Sequence, residues 1–175
     1  MGPSPNLPRV TLVLGGARSG KSAYAERLTA GGVYLATAEA KDQEMADRIR
    51  KHKARRGSRW TTVEEPLDIA RVLAEHAAPE RPVVLDCLTL WLSNLMAAGR
   101  DWPAAVDGLV ATLPKLRGPV VLVSNEVGLG VVPANELART FVDVAGIMHQ
   151  KIAAAADRVV FMTAGLATVL KDAGR

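Results

Sequence analysis

The run Gly15-Gly16-Ala17-Arg18-Ser19-Gly20-Lys21-Ser22 constrains this chain more than any other stretch of it. It fits the spacing G-x-x-x-x-G-K-[ST], with Gly15, Gly20, Lys21 and Ser22 at the fixed positions. Glycines at that spacing let the backbone curl so that successive amides point inward around a phosphate. The helix that follows presents its N-terminus to the same anion. Such a loop needs a buried strand before it and a helix after it. Val10–Leu14 is an apolar run of strand type, and Lys21–Thr29 reads as a helix. In that setting Lys21 reaches the β- and γ-phosphates and the Ser22 hydroxyl ligates Mg²⁺. A glycine-rich turn that only resembles the pattern is the competing reading, and the flanking strand and helix weigh against it. These eight residues are expected to hold a nucleoside triphosphate.

The rest of the chain repeats the same rhythm. Strand candidates follow at Val33–Ala36, Val83–Asp86, Val120–Ser124 and Val159–Met162, with Arg59–Val63 as a further short one. Each is a nearly continuous apolar run, the pattern of parallel strands covered on both faces. Helix candidates lie near Asp42–Arg55, Pro66–His76, Trp102–Leu116 and Asn135–Ala155. The alternation predicts an α/β fold, an open, mostly parallel sheet with helices on both faces. Residues 1–8 are expected to form a flexible leader, and 9–175 a single nucleotide-binding domain. At the end of the third strand candidate stands Asp86. An acidic residue there is often a turn or cap residue. Beside a phosphate loop it is better placed to hold Mg²⁺ together with Ser22.

Charge is concentrated in one place. The net charge is +4, yet Arg48 to Arg59 holds seven basic residues and no acidic one, leaving the remainder slightly acidic. An anion met at one point is the expected partner. A single cysteine, Cys87, excludes a disulfide framework or a cysteine-rich zinc site. Leu85 to Ala98, the most apolar stretch, is too short and interrupted to span a bilayer. With three prolines and no apolar segment, Met1 to Arg9 does not read as a signal peptide, so a cytoplasmic location is expected. Two Phe, two Tyr and three Trp offer few stacking platforms, which weighs against single-stranded nucleic acid as the partner.

His52 lies inside the basic segment. Met45, Ile49 and His52 share one helical face, so His52 reads either as a histidine at the edge of an apolar stripe or as a functional group. Its neighbours Lys51, Lys53, Arg55 and Arg56 favour the second reading, because nearby cations keep an imidazole nitrogen unprotonated near neutral pH. A neutral imidazole among phosphate-binding cations can attack an α-phosphate. His76 and His149 read as surface or packing residues.

Four segments together, GGARSGKS, residues 36–66, VVLDCLTLWLSNL at 83–95 and SNEVGLGVVP at 124–133, resemble one family. It is the bifunctional adenosylcobinamide kinase and adenosylcobinamide-phosphate guanylyltransferase of cobalamin biosynthesis. The resemblance runs in order from about Val10 to Gly165. The phosphate loop is common to many NTPases, whereas EMADRI-x-x-H-K and SNEVGLG are far more specific. It implies a P-loop NTPase fold of recombinase type and two reactions. In the first, ATP or GTP phosphorylates the aminopropanol hydroxyl of adenosylcobinamide. In the second, a histidine takes GMP from GTP as a phosphoramidate, and the cobinamide phosphate attacks it to give adenosylcobinamide-GDP. That histidine falls on His52. The guanylate contacts fall on Ala36, Thr37 and Ala38, on Lys53, Ala54, Arg55 and Arg56, on Glu64 or Glu65, and on Asp86. A homotrimer is implied as well. The chain departs from the family in carrying His149-Gln150 where Asn-Gln is common, and Arg56-Gly57 in place of Arg-Pro. Two rivals remain: a P-loop kinase without guanylyl transfer, and an NTP-driven binding module.

Overall fold

A computed structural model describes residues 7–39, 50 and 57–174. The expected helix at Asp42–Arg55 and the nucleophile candidate His52 therefore lie outside the described residues, as do Lys53, Ala54, Arg55 and Arg56.

Seven strands form one sheet: β1 (Val10–Gly15), β2 (Gly32–Ala36), β3 (Trp60–Glu64), β4 (Val83–Asp86), β5 (Val120–Asn125), β6 (Arg158–Thr163) and β7 (Leu166–Asp172). Their spatial order is β3-β2-β4-β5-β1-β6-β7. All neighbours pair parallel except β6 and β7, which pair antiparallel. The described helices are α1 (Lys21–Thr29), α2 (Ile69–His76), α3 (Leu88–Ala97), α4 (Trp102–Thr112) and α5 (Glu136–Ala155).

The inner strands β1, β2, β4, β5 and β6 are largely apolar because both faces are covered. One row crosses the sheet through Leu35, Leu85, Leu122, Leu12 and Val159, in register from β2 to β6. It packs with Ile69, Leu92, Leu109 and Met148 of helices α2 to α5. The neighbouring positions Tyr34, Val84, Val121, Val13 and Val160 point to the other face and cluster with Ala25 of α1. Each fully buried Leu or Val of these rows contributes about 1.5–3 kcal/mol of hydrophobic stabilisation.

Helix starts follow local chemistry. Asp101 Oδ1 accepts from Ala104 N–H at 3.0 Å to open α4, and Asn135 Oδ1 accepts from Ala138 N–H at 3.1 Å to open α5. The expected helix from Pro66 begins instead at Ile69, because the Glu65 carboxylate holds the Leu67 and Asp68 amides in a turn, each at 2.9 Å. The chain past Thr112 tightens into a 3₁₀ turn, Leu113–Lys115.

Two elements were not anticipated. Helix α3 lies in the apolar stretch Leu85 to Ala98, where apolar residues surround the helix and leave no amphipathic stripe. Leu88, Trp91, Leu92 and Leu95 are all buried. Strand β7 returns antiparallel on β6 through a two-residue turn. Ala164 and Gly165 both have positive φ, as the tight hairpin turns that suit twisted strands require.

Candidate functional site

Six consecutive strands end on one edge, the carboxyl side of the parallel sheet, where ligands of open α/β sheets bind. The phosphate loop leaves β1 there. Gly15 has φ +150°, and a Cβ on it would stand 2.4 Å from the Met162 carbonyl oxygen, so only glycine fits. Gly20 is left-handed at φ +97° and opens α1 directly. The Lys21 side chain is buried and folds back over the loop, its Nζ donating to the Gly16 carbonyl at 2.6 Å. Burial lowers its pKa, while the charge of Asp86 acts in the opposite direction. The hairpin turn between β6 and β7 braces the loop from outside: Gly165 N–H donates to the Ser19 carbonyl at 3.0 Å.

Asp86 ends β4 and meets the loop. Its Oδ2 accepts from the Ser22 hydroxyl at 2.5 Å and from the Tyr34 hydroxyl at 2.6 Å. The two residues expected to hold a metal are thus side by side. Tyr34, on the same face of β2, was not anticipated. It reads as one more apolar strand residue, and only its phenol marks it as a donor for a buried acceptor.

The remaining expected contacts sit on the same edge. Ala36, at the end of β2, is in register with both Asp86 and Glu64. Thr37 is fully buried, and its polar atoms serve the junction between β2 and α3. Its hydroxyl donates to the Cys87 carbonyl at 2.8 Å and accepts from the Cys87 amide at 2.9 Å. Asn94 Nδ2 donates to the Thr37 carbonyl at 2.8 Å. Burial would raise the pKa of Glu65, but the Asp68 and Leu67 amides and Arg71 outweigh it and hold the carboxyl below its ordinary value. Glu65 is therefore committed to its turn, whereas Glu64 is exposed at the end of β3. The Cys87 thiol is buried and pushed up to about 11, chiefly by desolvation, so it stays a thiol at neutral pH.

A second polar cluster follows β5. Ser124 is fully buried and shares a 2.7 Å hydrogen bond with His149 Nε2 from α5. His149 Nδ1 stands 3.8 Å from Glu126 Oε2, and Glu126 Oε1 accepts from Gly128 N–H at 2.6 Å. His149 is thus a packing residue, as expected, with polar partners at both ring nitrogens. The motif SNEVGLG marked this segment, but no chemistry was assigned to Ser124 or Glu126 from it. Burial lowers the His149 pKa, with Glu126 opposing. Its ring is then neutral in the fold at a pH where the unfolded chain already binds a proton. The stability it confers is complete above the ordinary histidine value and falls as pH drops below it. In His149→Asn the melting temperature should fall less between about pH 7.5 and about pH 5.5 than in the unaltered chain. Parallel pH slopes in a thermal melt would refute this.

Comparison with known proteins adds four observations. A family model described as cobinamide kinase / cobinamide phosphate guanyltransferase matches residues 11–170. The chain is 52% identical over 168 residues to the bifunctional adenosylcobalamin biosynthesis protein CobP of Pseudomonas aeruginosa, covering 91% of this chain and 96% of the relative. It is 39% identical over 178 residues to the bifunctional adenosylcobalamin biosynthesis protein CobU of Salmonella typhimurium, covering 91% and 98%. Among solved structures, the P4 protein from bacteriophage phi6 in complex with ADP superposes with a TM-score of 0.53 at 14% identity. That match covers 96% of this chain and 60% of the phage protein, and it shows the fold alone. The likeness agrees with the expected α/β fold class.

Proposed function

The chain belongs to the cobinamide kinase / cobinamide phosphate guanyltransferase family, and from that premise we propose that it performs both reactions at the carboxyl edge of its sheet. It phosphorylates adenosylcobinamide with ATP or GTP, then transfers GMP from GTP to adenosylcobinamide phosphate. The observation that carries this reading is the contact of Ser22 with Asp86 directly beside buried Lys21. In the kinase step the loop amides and Lys21 hold the triphosphate and neutralise charge on the transferred group. Phosphoryl transfer asks for little else from the protein.

Mg²⁺ fits the donor set. Ser22 and Asp86 offer adjacent hard oxygens, and Mg²⁺ bound with a nucleotide takes few protein ligands and completes its shell with phosphate oxygens and water. When bound, the ion would neutralise phosphate charge, with Ser22 and Asp86 holding it and Tyr34 orienting Asp86.

In the guanylyl step His52 is the nucleophile. Its ring nitrogen forms a bond to the α-phosphorus of GTP as the bond to the bridging oxygen breaks, and pyrophosphate leaves. A phosphate oxygen of adenosylcobinamide phosphate then displaces the imidazole. Lys53, Ala54, Arg55 and Arg56 accompany the guanylate, and Ala36 to Ala38 line its approach at the end of β2. The exposed Glu64 is better suited than Glu65 to contact it. We also propose a cytoplasmic homotrimer. Leu166, Val169 and Leu170 of edge strand β7 are more than half exposed, an apolar edge suited to covering.

Incubation with GTP and Mg²⁺, followed by denaturation, should leave the mass of one GMP on the chain, stable in alkali and lost in acid. Absence of the adduct would remove the guanylyl-transfer half of the proposal and leave a kinase.

A further inference from the structure

Resting on the kinase reading above, we propose that Glu126 is the catalytic base that takes the proton from the adenosylcobinamide hydroxyl. Strand β5 lies between β4, which ends in Asp86, and β1, which runs into the phosphate loop. Gly15 is in register with Asn125, and the next amide, Glu126 N–H, donates to the Gly15 carbonyl at 3.0 Å. Glu126 thus leaves the sheet at the root of the phosphate loop.

Other described carboxylates on this edge are committed or further away. Asp86 Oδ2 accepts from both Ser22 and Tyr34. Glu65 holds two amides and Arg71. Glu64 and Glu39 lie at or beyond the ends of β3 and β2, with β4 and β5 between them and the loop. Glu126 differs in being both held and accessible. Gly128 N–H fixes Oε1 at 2.6 Å, His149 faces Oε2 across 3.8 Å, and the side chain is 21% exposed. His149 is in turn fixed by buried Ser124. A carboxylate hydrogen-bonded at one oxygen, with only the 3.8 Å His149 contact at the other, is suited to accepting a proton from an incoming hydroxyl.

The step balances as follows. The hydroxyl oxygen bonds to the γ-phosphorus, the bond to the β,γ-bridging oxygen breaks, and the nucleoside diphosphate leaves. The hydroxyl proton passes to Glu126 Oε2. The guanylyl step needs no such base, because its acceptor is a phosphate that is already ionised.

That difference defines the test. Glu126→Gln preserves shape and loses basicity. With adenosylcobinamide and ATP, its phosphorylation rate should fall by about 10²–10⁴-fold. With adenosylcobinamide phosphate and GTP, it should make adenosylcobinamide-GDP at a rate within about threefold of the unaltered protein, which also verifies the fold. Glu126→Asp should recover part of the kinase rate. Full kinase activity in Glu126→Gln, or equal losses in both reactions, would overturn the assignment and make Glu126 a structural residue. An unaltered protein that phosphorylates nothing would instead overturn the kinase reading itself.

Discussion

Lys21→Ala should lose phosphorylation of adenosylcobinamide by at least about 10²–10³-fold, measured as nucleoside diphosphate released per enzyme per unit time. A loss of that size corresponds to about 3–4 kcal/mol of transition-state stabilisation. The cause is electrostatic. Charge builds on the transferred phosphoryl group, and Lys21 carries the cation buried within the loop that cradles it. Alanine also leaves space where a buried stem lay, so Lys21→Met is the sharper probe, keeping the stem without the charge. Both variants should fall by similar factors while the protein melts as a folded domain. A Lys21→Met protein with unimpaired kinase turnover would sink the role given to the loop.

His52→Ala should abolish the GMP adduct altogether and reduce guanylyl transfer to adenosylcobinamide phosphate below detection. Covalent catalysis divides one displacement into two, and without the nucleophile neither half proceeds. Phosphorylation of adenosylcobinamide should persist, since the γ-phosphoryl group never visits His52. The split between the two activities separates a lost nucleophile from a damaged fold. An adduct that survives in His52→Ala, or one that resists acid and yields to alkali, would place the guanylate on another residue.

Much of this architecture could be read before any coordinates because its signals are local. Lys21–Thr29 runs between the bounds expected for it, since a left-handed glycine opens it and a left-handed Ala30 closes it. Strands covered on both faces declare themselves as unbroken apolar runs, and five of them lie within a residue of the expected limits. Helix α3 escaped for the opposite reason: buried nearly all round, it has no periodicity to detect. Strand β7 escaped because its exposed residues do not alternate. In the site, the loop and Asp86 were legible from spacing, because phosphate chemistry demands a fixed pattern. Tyr34, Glu126 and His149 were not. Each acts through a partner 23 to 52 residues away in sequence, and only the sheet order makes them neighbours.

The contact between the β6–β7 turn and the phosphate loop has a consequence for how the enzyme comes into being. The loop leaves the ribosome long before Gly165 is synthesised. Until that hairpin closes, the Ser19 carbonyl has no outside partner, and the Met162 carbonyl does not yet crowd Gly15. A nascent chain can therefore form most of its sheet while still unable to grip a triphosphate. Competence for nucleotide arrives with β6 and β7, so a chain cut short before the hairpin should be unable to sequester ATP.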